Sequence, residues 1–165
     1  MILLALDPSL SAIGWCVMDT DLRDHECITA AGVFKPSGDS LDLKLTSASK
    51  WLDSLAEQYR PETIALEVPV VAKNIRTTIK LAQLSGALRL TAFQWTERTI
   101  EVYPGGRLAG LGLPIKTKRD DAKRLVTGHV NSIYGLDLDP KREHDIADAV
   151  AVAHAAWSML RQEWF

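Results

Sequence analysis

Ile2-Leu3-Leu4-Ala5-Leu6-Asp7 is a run of apolar residues closed abruptly by a carboxylate. An apolar run of this length ending in a polar residue reads as a central strand covered on both faces. The pattern recurs at Thr63-Ile64-Ala65-Leu66-Glu67. A carboxylate at the end of a buried strand is costly, because a low dielectric disfavours its ionised form. Paying that cost twice implies a partner that offsets it, with both acids near one edge of a sheet. A third acidic feature, Asp145-Ile146-Ala147-Asp148, opens a late alanine-rich segment with its acids spaced to share one helix face. Each feature has an ordinary reading alone. Asp7 before Pro8-Ser9 can form a turn, Glu67 before Val68-Pro69 can end a strand, and the late pair can face a helix dipole. The ordered set of four suits a pair of magnesium ions, which prefer oxygen ligands.

Outward from the first strand, Ile13 to Met18 reads as a second strand, Asp19 to Glu26 as a polar turn, and Ile28 to Phe34 as a third strand. The short links predict an antiparallel meander. Lys35 to Ser40 breaks the pattern. Leu45, Ala48, Trp51, Leu52, Leu55, Ala56 and Tyr59 then recur at helical spacing until Arg60-Pro61. After the Glu67 strand a second helix is expected from about Arg76 to Gln94, with Gly86 permitting close packing, and then a short strand from Thr99 to Tyr103. Pro104, Gly105, Gly106, Gly110, Gly112 and Pro114 predict a mobile connection in place of an element. Helices are expected from Arg119 to Tyr134 and from near Asp145 onward, separated by a turn at Gly135 to Pro140. Trp157 is expected in the core; Trp164 and Phe165 could belong to the core or to a dimer contact.

The chain has 165 residues, enough for one ordinary domain with a sizeable core, and residues 1–165 are expected to form it. A hydrophobic fraction of 47% with 24% charged residues excludes a disordered chain. No apolar run is long enough to span a bilayer, and no signal peptide is read before the first strand. Cys16 and Cys27 are too few and too isolated for a disulfide framework or a zinc site and read as buried free thiols, which suits a cytoplasmic location. The net charge of −2 argues against nucleic acid only until its distribution is considered. Lys73, Arg76 and Lys80 have spacings that share a helix face, and Lys116, Lys118, Arg119, Lys123 and Arg124 crowd a second segment. Both clusters read as surfaces that track phosphates or as ordinary solvated faces, and Asp120 and Asp121 weaken the second.

A meander of three strands followed by helix, strand, helix, strand and two helices describes an α/β fold, a mixed five-stranded sheet flanked by helices. This order of acids and elements resembles the ribonuclease H-like superfamily, and within it the RuvC family of Holliday junction resolvases. Three blocks carry the resemblance. Leu6-Asp7-Pro8-Ser9-Leu10 with Gly14-Trp15 is similar to the family's first strand and hairpin, with Ser9 where Gly is usual. Glu67, Ala72-Lys73-Asn74 and Lys80-Leu81-Ala82-Gln83-Leu84-Ser85-Gly86 resemble the second acid and the helix after it, and His144 to Ala153 resembles the motif that closes the site. One departure is Val68-Pro69-Val70, where RuvC proteins generally present an aromatic wedge. Stacking of a base on an aromatic ring contributes about 1–3 kcal/mol, so junction opening is expected to be weaker or assigned elsewhere.

The resemblance implies a homodimeric, magnesium-dependent endodeoxyribonuclease that binds four-way DNA junctions and nicks two strands symmetrically, leaving 5′-phosphate and 3′-hydroxyl ends. Two ions about 3.5–4 Å apart can activate water and stabilise the leaving oxygen, with Mn²⁺ as a substitute for Mg²⁺. Asp7 is expected to bridge them, Glu67 and Asp148 to complete one shell each, and Asp145 to ligate directly or through water. His144 is a candidate for orienting the attacking water or capping the helix. Lys73, Asn74, Arg76, Lys80, Lys116, Lys118 and Arg119 are the candidate DNA contacts, with Lys116, Lys118 or Arg119 candidates for the scissile phosphate. The competing readings are a nuclease of the same fold acting on other branched DNA or structured RNA, a junction-binding protein that does not cut, and a sugar-kinase or actin-like ATPase. The last needs two lobes, and this chain has room for one.

Overall fold

The computed structural model describes residues 1–71, 74–114 and 119–163. Its sheet is built from β1 (Ile2–Asp7), β2 (Ile13–Asp19), β3 (Ile28–Phe34), β4 (Thr63–Glu67) and β5 (Thr99–Val102), in the order β3-β2-β1-β4-β5. The first three strands form the expected antiparallel meander, and β4 and β5 add in parallel beside β1. A short 3₁₀ turn, Asp24–Glu26, lies within the β2–β3 link.

Helices α1 (Leu41–Tyr59) and α2 (Ile75–Trp95) cover one face, and α3 (Pro104–Gly110), α4 (Arg119–Tyr134) and α5 (His144–Glu163) cover the other. The helices start where side chains supply caps: Ser40 accepts from the Leu43 N–H, and Asn74 Oδ1 accepts from the N–H groups of Arg76 and Thr77. The two faces have separate cores. Leu4, Leu6, Ile64 and Leu66 pack with Leu52, Leu55, Leu84 and Leu88 beneath α1 and α2. Leu3, Ala5, Cys16, Met18 and Ala65 pack beneath α5 and its neighbours, with Trp157 partly buried against them. Both cysteines are buried.

Two expectations are corrected. The stretch expected to be a mobile connection contains α3: Pro104 occupies the first turn, where its missing N–H costs nothing, and Leu108, Leu111 and Leu113 are buried. Gly86 does not permit close packing, since a side chain there would meet nothing within 4 Å. The glycines that let α5 approach its neighbours are Gly14 and Gly110, where an added Cβ would lie 2.0 Å from the Asp145 carbonyl oxygen and 3.3 Å from Ala155, respectively. Among the described residues, no helix is long and apolar enough to cross a membrane.

Candidate active site

Strand alternation decides where the first two acids point. Leu3 and Ala5 face the α5 side of β1 while Leu4 and Leu6 face α1 and α2, so Asp7, next in the odd series, is directed to the α5 side. In β4, Ala65 faces α5 and Ile64 and Leu66 face away, which directs Glu67 to the same side. The parallel register pairs Ala5 with Ala65 and Leu6 with Leu66, and one step further brings Asp7 beside Glu67.

Helix α5 supplies the remaining acids from above. Its N-terminal end approaches β2 at Gly14, the register partner of Asp7, and only a residue without a side chain leaves room for the Asp145 carbonyl there. Asp148 thereby reaches the cluster, whereas Asp145 stands further out, with Oδ1 3.3 Å from His144 Nε2. His144 Nδ1 is buried and has no hydrogen-bond partner.

The sequence reading missed the cation at the centre. Arg107 of α3 approaches both Glu67 and Asp148, with Nη1 2.8 Å from Glu67 Oε2 and 3.1 Å from Asp148 Oδ1. All three side chains are 13% exposed. Their spacing in the chain, with Arg107 among apparent helix breakers, gave no reason to group them; the apolar positions Leu108 and Leu111 were the available hint of a helix.

The electrostatics follow from this enclosure. Burial, followed by repulsion from Glu67 and Asp148, pushes the Asp7 carboxyl well above the usual carboxylate range. Burial pushes Glu67 up to about 7 against the opposing pull of Arg107. Asp148 is also raised, chiefly by burial, with Arg107 and His144 opposing. Acids that repel one another in a poorly solvated site favour a cation among them. Arg107 supplies one charge and cannot neutralise the set. Among the described residues, no three His, Cys, Asp or Glu side chains are arranged to hold a metal ion as they stand. Their oxygen donors nonetheless have the chemistry that a hard divalent cation requires, and three ionised carboxylates facing one guanidinium would leave negative charge to offset.

The basic candidates divide. Arg76 and Lys80 are exposed on α2, while Lys73, Lys116 and Lys118 lie outside the described residues. Asn74 is exposed, but its side-chain oxygen is engaged in capping α2. Arg119 opens α4. Lys123, Arg124, Pro140, Lys141 and His144 line a cleft of about 290 Å³, a basic surface that meets the acidic cluster at His144. Lys141 was not among the sequence candidates. A larger hollow of about 450 Å³ lies against Phe34 and Trp51 on the α1 side and contains none of the acids. After Glu67, Val70 and Val71 are exposed where an aromatic ring was lacking, and Tyr103, directly after β5, presents an exposed ring.

Comparison with known proteins agrees with this arrangement. The sequence model of the family described as crossover junction endodeoxyribonuclease RuvC matches residues 3–155. The protein of that name from Natranaerobius thermophilus is 32% identical over 161 residues, covering 93% of this chain and 92% of its own. Its counterpart in Campylobacter jejuni is 30% identical over 156 residues, covering 93% and 94%. Among solved structures, Thermus thermophilus RuvC in complex with a Holliday junction substrate superimposes with a TM-score of 0.79 at 21% identity, covering 98% of this chain and 96% of that one. A yeast mitochondrial Holliday junction resolvase reaches a TM-score of 0.62 at 14% identity, covering 93% and 76%. These structural likenesses bear out the expected ribonuclease H-like fold, a mixed five-stranded sheet flanked by helices.

Proposed function

We propose, from the premise that this chain belongs to the RuvC family of crossover junction endodeoxyribonucleases, that it resolves four-way DNA junctions by hydrolysing a phosphodiester in each of two opposed strands. The observation that carries the reading is the convergence of Asp7 and Glu67, through parallel strand register, with Asp148 of α5 in a poorly solvated cluster. The family's nucleases are metal-dependent, and for this chain we infer Mg²⁺, two ions per site, with Mn²⁺ able to substitute. Asp7, Glu67 and Asp148 would hold the metal, with Asp145 contributing directly or through water. Bound there, the metal would lower the pKa of a water nucleophile and offset charge on the leaving oxygen.

The chain's own residues do the rest. Burial of the cluster excludes bulk water, so each charge acts in a lower effective dielectric. His144, held by Asp145, can take a proton from the attacking water or orient it, and its unpartnered Nδ1 is free to donate or accept. Lys123, Arg124 and Lys141 supply phosphate contacts leading to the site, and Arg76 and Lys80 supply a second basic surface. Lys73, Asn74, Lys116, Lys118 and Arg119 remain part of the proposed DNA surface, with the scissile phosphate assigned to Lys116, Lys118 or Arg119.

Residues 1–165 act in this reading as one nuclease domain, working in the cytoplasm. Cutting two strands symmetrically requires two sites related by a twofold axis, hence a homodimer. The exposed Ile75, Ile79, Leu90 and Phe93 of α2 offer an apolar face for the second copy.

The test is incubation of a labelled four-way junction with the protein and Mg²⁺, beside linear duplex, a three-way branch and structured RNA. Paired nicks with 5′-phosphate and 3′-hydroxyl ends, sealed by a ligase and reduced about a thousandfold or more by Asp7→Asn, are expected. Preferential cutting of another substrate would retain the nuclease and discard junction resolution. Binding without cleavage would leave a shape-recognition protein.

A further inference from the structure

We propose that Arg107 is a resident counter-ion which a divalent cation must displace from Glu67 and Asp148, so that loading the site is an exchange and not a simple addition. The proposal rests on reading the acidic cluster as the metal site.

Geometry comes first. A single nitrogen, Nη1, serves two carboxylates that arrive from different elements, β4 and α5. That is the central position between Glu67 and Asp148, where a shared cation would offset the same charges. The guanidinium therefore competes with a metal for the same carboxylate oxygens.

The pairing is also incompletely bonded. Buried arginine–carboxylate pairs are strongest when the guanidinium fork meets the carboxylate with two parallel hydrogen bonds. Here Arg107 Nε is buried with no hydrogen-bond partner, and Glu67 Oε2 lacks a well-directed hydrogen bond although Nη1 lies within ion-pair distance. The pair is held by charge more than by directed bonding. A divalent ion brings twice the charge and accepts oxygen ligands in several directions, so it is the stronger partner once its own hydration is partly replaced.

The backbone beneath Arg107 is anchored. Leu108, Leu111 and Leu113 are buried, Gly110 lies against Ala155, and Gly106 approaches Met159 of α5. Exchange is thus a movement of the side chain, with α3 left in position. The displaced guanidinium leaves the acids and needs another anion. The phosphate of the DNA substrate has the matching chemistry. Metal and DNA binding are consequently coupled: each improves the other, since phosphate accepts the cation that the metal expels.

The test titrates Mn²⁺ into DNA-free protein by calorimetry, comparing the wild type with Arg107→Gln, Arg107→Lys and Asp7→Asn. Removing the competitor is expected to tighten Mn²⁺ binding by about tenfold or more in Arg107→Gln, since a unit charge at this distance is a strong competitor in a partly buried site. Arg107→Lys, which retains a charge on a shorter stem, is expected to fall between that variant and the wild type and keeps the test available if the Gln variant does not fold. Affinity equal to or weaker than wild type in the folded variants overturns the exchange. A purely structural arginine would give that result, because its loss would loosen the acids and weaken binding. Asp7→Asn separates this failure from that of the underlying reading: an unchanged isotherm there means the metal binds elsewhere, and both ideas fall.

Discussion

The two faces of the sheet use opposite packing strategies. Beneath α1 and α2 the core is made of bulky aliphatic side chains, with Leu52, Leu55, Leu84 and Leu88 filling the space over Leu4, Leu6, Ile64 and Leu66. On the other face α5 itself contributes Ala147, Ala149, Ala151, Ala153, Ala155 and Ala156, with larger side chains such as Leu108, Leu111 and Val130 coming from its neighbours and glycine at close approaches. Large side chains keep a helix away from the sheet and maximise buried apolar area, while small ones bring its backbone close. Both faces bury apolar area. The second brings acids on a helix to acids at strand ends, and it carries the repulsion that results.

This contrast predicts a separation of effects. Leu88→Ala removes a fully buried side chain on the α1–α2 side and is expected to cost about 2–5 kcal/mol of stability. Because Asp7 and Glu67 point to the other side of the sheet, cleavage per folded molecule should stay close to wild type. Denaturant unfolding and a junction-cleavage assay on the same preparation measure the two quantities. A large fall in specific activity without unfolding would mean the faces are coupled and would break the comparison.

Gly14→Ala probes the other strategy. The new methyl would begin 2.0 Å from the Asp145 carbonyl oxygen, a backbone atom at the start of α5, so the helix or β2 must shift. We expect a loss of about 1–3 kcal/mol in stability, as in overpacked cores. Cleavage should fall more than stability explains, because the same shift moves Asp145 and Asp148 away from Asp7. A variant equally unstable but fully active would show that the close approach serves packing alone.

Legibility in the sequence follows the same division. Central strands and their terminal acids were readable because long apolar runs end at Asp7 and Glu67, and the spacing of Asp145 and Asp148 needed only helical geometry. The resemblance to RuvC proteins joined these pieces and is borne out by the family match over residues 3–155. Helix α3 was unreadable because proline and glycine were treated as breakers. Pro104 instead lies in the first turn, and Gly106 and Gly110 face α5. With the helix went Arg107. Its partnership with Glu67 and Asp148 depends on the packing of three elements distant in the chain, which no local pattern records. Asn74, a candidate DNA contact from the Ala72-Lys73-Asn74 block, has a second role that the block did not reveal: its side-chain oxygen closes the first turn of α2.

The burial of acids on the α5 side leaves a signature in the pH dependence of the metal-free protein. Glu67 has an ordinary value of 4.5 and is pushed up to about 7 in the fold, chiefly by burial, and Asp7 and Asp148 are raised in the same direction. Between those two values the folded chain holds a proton that the unfolded chain has released. Linkage therefore makes stability fall as pH rises through this window: Glu67's contribution is fully present below about 4.5 and is lost above about 7. The change is on the order of 2 kcal/mol, or roughly 5 °C in melting temperature for a domain of this size. Thermal melts in chelator from pH 5 to 7.5 measure it. Glu67→Gln should flatten the profile because the titrating group is gone, and Mg²⁺ should flatten it by stabilising the folded chain most where the carboxylates are ionised. Leu88→Ala should lower every point while keeping the slope, since it acts on the other face. A slope unchanged by Glu67→Gln would remove the acidic cluster as its source, and the contrast between an aliphatic face and an electrostatically strained one would lose its physical basis.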